Sequence, residues 1–253
     1  MQFIALVSGG KDSIYNMQMA MQDGHIPVCL LNMKMPAERD SFMFQYAGNN
    51  LLPGISECLN LPLHQKETSG LSKERGIEYK VTENDEIEDL FSAIRSLQGL
   101  YEFSAVSVGA ISSVYQYNRV KSVCDRLNLQ VLAYLWGQDQ RELLQRMCRD
   151  GICAIVVKGG GYVGELLGET ISTVYTKYSG YIQGQLEEHK SLTEKDFNLC
   201  GEGGEYETLT LDAPIYAKRI EIVRSTVEEE ECDVKTLCIL EYKVVDKAQE
   251  KPL

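Results

Sequence analysis

None of the eight cysteines stands at C-x-x-C spacing with another, and the three histidines are not spaced as a metal clip. The thiols, at positions 29, 58, 124, 148, 153, 200, 232 and 238, read as buried or incidental groups of a reducing compartment. No apolar run reaches the roughly 18 residues that a membrane span needs. The chain enters a strand-like stretch almost at once, with no charged leader or cleavage site ahead of it, so a cytosolic protein is expected. Basic residues are short as well: 25 Lys and Arg face 37 Asp and Glu, for a net charge of −12. A protein acting on tRNA or DNA needs a basic surface, because phosphate contacts dominate its affinity. Nucleic acid is therefore disfavoured as a partner, and an uncharged, cationic or protein-borne substrate is easier to accommodate. Oligomeric state is not legible.

What is present is ordinary for a globular protein, with 44% hydrophobic and 25% charged residues in 253. Strand and helix signals alternate through the first half. Strands are expected at 3–7, 27–31, 61–67, 105–108 and 131–136, and helices at 12–23, 85–97 and 116–128. The stretch 40–60 is expected to be mostly helical, with a break or kink at Pro53-Gly54. Residues 68–83 read as a loop. Strands separated by helices of this length imply β-α-β units and a parallel sheet, with ligands beyond the carboxyl ends of the strands. The second half is less regular. A helix at 139–149 and a strand at 152–158 precede Gly159-Gly160-Gly161, which reads as a turn rather than a second anion nest. A mixed helical region at 164–190 is expected to be broken at Gly180 and Gly184, and strands near 208–211, 219–224 and 236–244 close the chain before a frayed tail at 247–253. The expected architecture is α/β: a parallel five-stranded sheet with helices on both faces over 1–137, then a smaller α+β domain over 138–246.

The apolar run Phe3-Ile4-Ala5-Leu6-Val7 ends directly in Ser8-Gly9-Gly10-Lys11-Asp12-Ser13. Glycines let the backbone approach an anion, and the first N–H groups of a following helix have no intrahelical partner. Serine hydroxyls and a lysine point charge complete a phosphate-binding arrangement. The plain alternative is a tight turn and an exposed first helical turn. Gly109, at the end of the fourth strand, faces the same crevice or is an ordinary strand-end turn, and Met33, at the end of the second, is placed to border a base. A second dense cluster is Cys200-Gly201-Glu202-Gly203-Gly204-Glu205-Tyr206-Glu207-Thr208. If strand geometry begins near Glu205, then Glu205 and Glu207 share one face and Tyr206 takes the other. Three carboxylates on a pliable backbone can bind Mg²⁺, hold a cationic group or orient an amine, or form a solvated acidic hairpin.

The loop at 8–13 resembles the pyrophosphate loop, S-G-G-x-D-S, of the ATP pyrophosphatases. Both motifs together resemble the diphthine–ammonia ligase (diphthamide synthetase) family. The likeness extends through Asp40-Ser41-Phe42-Met43-Phe44-Gln45, Val108-Gly109-Ala110-Ile111, Tyr115-Gln116, Arg119-Val120 and Leu132-Ala133-Tyr134-Leu135-Trp136 to E-G-G-E-Y-E-T at 202–208. The chain departs at Asn49 and Asn50, where relatives tend to carry histidines, and in the glycine run 159–161. Larger relatives carry additional C-terminal domains, and a minimal two-domain form is expected here.

The resemblance implies an adenine nucleotide α-hydrolase-like fold and ATP-dependent amidation of diphthine on elongation factor 2 with free ammonium, through an acyl-adenylate, releasing AMP and pyrophosphate. ATP and Mg²⁺ are the implied cofactors. It implies catalytic roles for Lys11, Asp12, Glu202, Glu205 and Glu207, and ATP contacts at Ser8, Gly9, Gly10, Lys11, Asp12, Ser13, Met33 and Gly109. Substrate contacts are implied at Tyr115, Arg119, Gly203, Gly204, Tyr206 and Thr208, and Asp12 is the implied metal ligand. Diphthine carries a trimethylammonium group, which the three glutamates could attract and Tyr206 could offer a cation–π face; alternatively, the carboxylates bind or deprotonate ammonium. Two other readings are a tRNA-modifying ATP pyrophosphatase, disfavoured by the acidic balance and the absence of paired cysteines, and a module that binds a nucleotide without turnover.

Overall fold

A computed structural model of the chain describes residues 1–36, 41, 43–193 and 196–247. Two parts of the expectations fall outside them: Asp40 and Phe42 of the stretch 40–60, and the tail 248–253.

Strand β1 (Gln2–Leu6) lies at the centre of a five-stranded parallel sheet in the order β3-β2-β1-β4-β5, with β2 at Ile26–Lys34, β3 at Leu63–Glu67, β4 at Ala105–Ser107 and β5 at Gln130–Leu132. Alternate residues of β1 point to opposite faces, and both faces are buried. Phe3 and Ala5 enter one apolar cluster, Ile4 the other. The second cluster is closed by Ile87, Leu90 and Ile94 of α3 (Glu86–Gln98) and by Val120 and Val123 of α4 (Val114–Arg126). The first is larger. It takes Ile14 and Met17 of α1 (Lys11–Gln22), Leu52 and Ile55 of α2 (Leu52–Leu59), Leu143 and Leu144 of α5 (Gln140–Arg149), and apolar residues of a second sheet. That sheet is antiparallel, order β7-β6-β9-β8, with β6 at Cys153–Gly160, β7 at Tyr206–Asp212, β8 at Lys218–Glu229 and β9 at Val234–Asp246.

Several expectations are corrected by side-chain chemistry. Residues 43–48 are not helical: the Ser41 hydroxyl accepts from the N–H groups of Met43 and Phe44, and Gly48 adopts φ +78°. Pro53 does not break a helix but sits in the first turn of α2, where a missing N–H costs nothing. Gly54 is needed there, since a Cβ would come within 2.6 Å of the Tyr242 ring. Strand β5 stops at Leu132 because the Asn16 amide takes the Leu132 carbonyl at 2.8 Å and accepts from the Tyr134 N–H at 2.7 Å.

The run 159–161 is not a plain turn. Strand β6 continues to Gly160, and a one-turn helix, α6 (Gly161–Gly164), starts directly behind it. Gly159 and Gly164 approach backbone to backbone; a Cβ on Gly164 would lie 3.0 Å from the Gly159 oxygen. Helix α7 (Ile171–Glu188) runs unbroken through Gly180 and Gly184. Its buried stripe of Ile171, Val174, Tyr178 and Ile182 outweighs the roughly 1 kcal/mol that each glycine costs a helix. Strands β8 and β9 outrun their expected bounds and form a long two-stranded ribbon.

Candidate active site

Chain order turns at β1, whose neighbours β2 and β4 lead to opposite edges of the sheet, so the crevice beyond the carboxyl ends of β1 and β4 is the switch point of the fold. The glycine-rich loop fills the β1 side. Gly9 has φ +89°, a conformation that glycine adopts without strain, and a Cβ there would press on Ile55 and Leu209 at 3.2 and 3.3 Å. Gly10 is the N-cap of α1; its N–H donates to the Ser8 hydroxyl at 3.2 Å, and the Ser13 hydroxyl donates to its carbonyl at 3.0 Å. The loop is also gripped from the second sheet. Lys11 N–H donates to the Thr208 hydroxyl at 3.1 Å, Thr210 N–H to the Gly9 carbonyl at 2.8 Å, and the Gln45 amide to the Thr208 carbonyl at 3.1 Å. On the β4 side, Gly109 packs directly on the first turn of α1.

The Lys11 side chain is 2% exposed. Its ammonium donates to Asp12 Oδ2 at 2.9 Å and to the Cys200 carbonyl at 2.5 Å, and lies 4.9 Å over the Tyr206 ring. Burial opposes its charge, but Asp12 first, then Cys200 and Glu202, outweigh that and hold its pKa above the usual lysine value. Burial holds the Asp12 carboxyl above the usual carboxylate value, although the Lys11 ammonium beside it pulls it down. Burial also pushes the Cys200 thiol up to about 12 and the Tyr206 phenol well above 10, so neither is a nucleophile at neutral pH. The Tyr206 hydroxyl is spent on the Leu199 carbonyl at 2.7 Å.

Each glutamate of the second motif has a different setting. The Glu202 carboxylate accepts from the N–H groups of Ile111, Ser112 and Ser113 at 2.9, 2.5 and 2.9 Å, and from the Ser112 hydroxyl at 3.0 Å. Ser113 is the N-cap of α4, so Glu202 sits on the positive end of that helix and ties the second motif to the β4 loop. Glu205 precedes β7 and accepts from Asn198 and from the Gly203 N–H, both at 2.8 Å. A Cβ on Gly203 would come within 2.5 Å of the Asn198 amide nitrogen, and Gly204 has φ +86°. Glu207 stands opposite Lys158 in the β6–β7 register, and Tyr206 and Thr208 are buried on the other face.

These groups line one cleft of about 1920 Å³. Ser8, Gly10, Lys11, Asp12, Ser13, Met33, Gly109, Tyr115 and all of 202–208 border it. Gly9 does not border it. Arg119 is fully buried: its guanidinium stacks 3.2 Å from the Tyr115 ring centroid and donates to the carbonyls of Glu74, Gly76 and Tyr115. It braces the loop 74–76 and Tyr115 rather than facing the cleft. Asn49 and Asn50 bond the carbonyls of Gln45 and Ile239 and do not border the cleft. Sequence reasoning missed Asn32, Tyr162, Tyr178, Tyr181, Glu228 and Glu230, all on the cleft wall. For Tyr178 and Tyr181, the i, i+3 spacing on a helix was the available signal.

The donor set bears on a metal. No cluster of three His, Cys, Asp or Glu side chains suited to a metal exists among the described residues. Asp12 Oδ1, however, is buried without a hydrogen-bond partner at the mouth of the glycine-rich loop. One carboxylate beside a phosphate site fits Mg²⁺, which is usually held by one or two carboxylates and substrate phosphates rather than by a protein cage. No helix among the described residues is long and apolar enough to cross a membrane.

A glycine-rich loop between a central parallel strand and its helix, opening on an acidic crevice at the switch point, defines a nucleotide-binding enzyme of the α/β class. The models of the diphthamide synthase N-terminal domain and C-terminal domain match residues 1–131 and 179–245. The diphthine–ammonia ligase of Bos taurus is 38% identical over 265 residues, covering 100% of this chain and 96% of the relative. That of Homo sapiens is 37% identical over 265 residues with the same coverage. The one of Schizosaccharomyces pombe is 39% identical over 264 residues, and this chain spans 41% of its length. A Methanocaldococcus jannaschii chain described as a predicted subunit of tRNA methyltransferase aligns over 85% of this chain and 98% of its own, at TM-score 0.38 and 16% identity. The chain belongs to the diphthamide synthase family and is a ligase.

Proposed function

We propose that the chain amidates diphthine on elongation factor 2, using ATP and ammonium. The observation that carries this reading is the buried Lys11 ammonium, which bonds the glycine-rich loop to the carbonyl of Cys200 at the head of the acidic motif. Phosphate-binding and substrate-side groups are thereby fixed in one cleft. The net charge of −12 further favours a protein-borne, cationic substrate.

A carboxylate does not accept ammonia in water, because its oxygen is a poor leaving group. In the proposed reaction the diphthine carboxylate attacks the α-phosphorus of ATP; a carboxyl O–P bond forms and the bond to pyrophosphate breaks. Ammonia then donates its lone pair to the acyl carbon, and the C–O bond to AMP breaks. The Ser8 hydroxyl and the N–H groups of Asp12 and Ser13 at the start of α1 hold the leaving pyrophosphate, close to the Gly10 backbone, and Lys11 balances its charge. Met33 borders the base, and Gly109 lets the β4 turn approach the loop. Mg²⁺, when bound at Asp12 and the phosphates, supplies further charge stabilisation to the leaving group. Glu205 and Glu207 attract ammonium and take the proton that the attacking nitrogen sheds, whereas Glu202 is committed to positioning. In this reading residues 1–137 serve the nucleotide and 138–246 the substrate.

The test is pyrophosphate release from ATP and Mg²⁺ with ammonium, with and without diphthine-bearing elongation factor 2. Release that requires the factor, with its diphthine converted to diphthamide, is the expected result. Release that ignores the factor, or none, would overturn the assignment.

A further inference from the structure

The cleft is short of positive charge. Asp12, Glu202, Glu205, Glu207, Glu228 and Glu230 border it, against Lys11, Lys158 and Arg75. Lys11 is engaged by Asp12 and the Cys200 carbonyl, and Lys158 donates to Glu230 at 3.0 Å. Arg75 is different. Its Nε donates to the Ser72 carbonyl at 3.2 Å, and among the described residues no carboxylate pairs with its guanidinium. The side chain is exposed and borders the cleft from the loop 68–83, as Ser113, Tyr115 and Gln116 border it from the start of α4.

That loop contains neither helix nor strand, yet its backbone around Arg75 is held from two sides. From α3, Asp85 accepts from the N–H groups of Lys73 and Glu74 at 2.8 and 3.0 Å, and Glu86 accepts from the Ser72 hydroxyl at 2.5 Å. From α4, the Asn118 amide donates to the Ile77 carbonyl at 3.1 Å. The carbonyls on either side of Arg75, those of Glu74 and Gly76, both accept from Arg119, at 2.5 and 3.1 Å. Arg119 is fully buried, and among the described residues no carboxylate pairs with it. Its charge is met by carbonyls and by the rings of Tyr115 and Tyr79, with centroids 3.2 and 5.5 Å away, and its Nε has no hydrogen-bond partner. Burying a charge in this way is costly, and an apolar side chain of similar length would fill the space without that cost. What the arginine supplies is a fixed direction for the two peptide groups that flank Arg75.

A planar guanidinium whose terminal N–H groups are unspent suits a carboxylate or a phosphate, which it grips through two parallel bonds. An oxyanion entering this cleft is repelled by six carboxylates, so a cation on its wall decides whether it stays. We propose that Arg75 is the oxyanion contact of the cleft and that Arg119 is the positioning residue that holds it there. Which oxyanion it meets, the carboxylate of the acyl acceptor or a phosphate of the nucleotide, rests on the amidation reading; the contact itself does not.

Full-length Arg75→Gln, Arg75→Lys and Arg119→Met are compared with the wild-type chain in two assays: calorimetry with α,β-methylene-ATP and Mg²⁺, and amidation of diphthine-bearing elongation factor 2. Arg75→Gln should raise either the Kd of the analogue or the KM for the factor about tenfold or more, at an unchanged urea midpoint. A raised Kd assigns a phosphate, and a raised KM at unchanged Kd assigns the acceptor carboxylate. Arg75→Lys should recover at least about threefold of the loss, the charge without the fork. Arg119→Met should fold and move the same constant, and joining it to Arg75→Gln should add no more than about twofold, since both remove one contact. Unchanged Kd and KM in Arg75→Gln overturn the contact. A folded Arg119→Met with wild-type constants, or a double variant whose losses add in full, overturns the positioning role; if Arg119→Met does not fold, Arg119→Lys is measured in its place. If the wild-type chain amidates nothing, the amidation reading falls and the analogue titration alone decides the contact.

Discussion

Replacing Gly109 with alanine drives a methyl group into the first turn of α1. The added Cβ would lie 2.6 Å from the Asp12 carbonyl carbon, 2.7 Å from the Ser13 nitrogen and 2.8 Å from the Asp12 oxygen. All three are backbone atoms, so no rotamer change relieves the clash. Carbons in ordinary contact stand about 3.5 Å apart or more, so the β4 turn and the loop must separate by roughly 0.9 Å. Overpacking of this kind costs about 1–3 kcal/mol. Urea unfolding followed by circular dichroism should show a lower midpoint at unchanged slope, the mark of lost stability without a change in compactness. The atoms displaced belong to the first turn of α1, which holds the phosphates in the proposed reaction. Affinity for a non-hydrolysable ATP analogue is therefore expected to fall about tenfold or more, the equivalent of about 1.4 kcal/mol. A Gly109→Ala protein with the wild-type midpoint and wild-type affinity would refute the close approach of β4 to the loop.

Three further outcomes are expected. Gly180→Ala and Gly184→Ala meet nothing within 4 Å and lie on the exposed side of α7, so each should raise stability by about 0.5–1 kcal/mol; a lower melting temperature would mean that the glycines serve a motion of α7. Glu205→Gln should abolish amide formation while ATP affinity stays nearly intact, and an equal loss of ATP binding would move Glu205 out of the substrate side. Arg126 donates to both Glu88 oxygens at 2.7 Å and, ahead of the opposing effect of burial and the added Tyr79 bond, holds the Glu88 pKa below 4.5. A carboxylate depressed in the folded state stabilises above its unfolded pKa and loses that contribution as pH falls through the folded value. Arg126→Gln should thus cost about 1–2 kcal/mol at pH 7, and the gap to wild type should close below pH 4.5; a gap that persists under acid would assign the loss to packing on Phe91 instead.

Legibility in the sequence followed the range of the interactions. The 8–13 loop was readable because its glycines, hydroxyls and helix start are contiguous, and β1, β2, β4 and β5 were readable because each lies in an apolar run, whereas β3 is mostly polar. The ends of elements depended on partners far away. Asn16 ends β5 from 116 residues off, and Glu202 caps α4 from 89–91 residues off. No local pattern announces such a bond. Gly180 and Gly184 suggested breaks because propensity ignores the buried stripe that holds α7, and that misreading hid the spacing of Tyr178 and Tyr181. Pro53 misled because its cost depends on where the helix starts.

The same long-range bonds bear on whether residues 1–137 can stand alone. The glycine-rich loop borrows the Thr208 hydroxyl, the Thr210 N–H and the Cys200 carbonyl from the second half. Helix α2 is held by it too: the Cys58 carbonyl accepts from the Ala217 N–H at 2.6 Å, Glu57 pairs with Lys218 at 2.8 Å, and Leu51, Leu52 and Ile55 belong to the apolar cluster that contains Leu209 and Ile239. Exposing three such side chains costs roughly 5–9 kcal/mol, at about 1.5–3 kcal/mol each. That is comparable with the whole stability of a domain, about 5–15 kcal/mol. A fragment of residues 1–137 is therefore expected to show no cooperative melt by calorimetry, and to gain one when residues 138–253 are supplied in trans. A fragment that melts cooperatively by itself and binds an ATP analogue as tightly as the full chain would show that the second sheet is not needed to shape the loop.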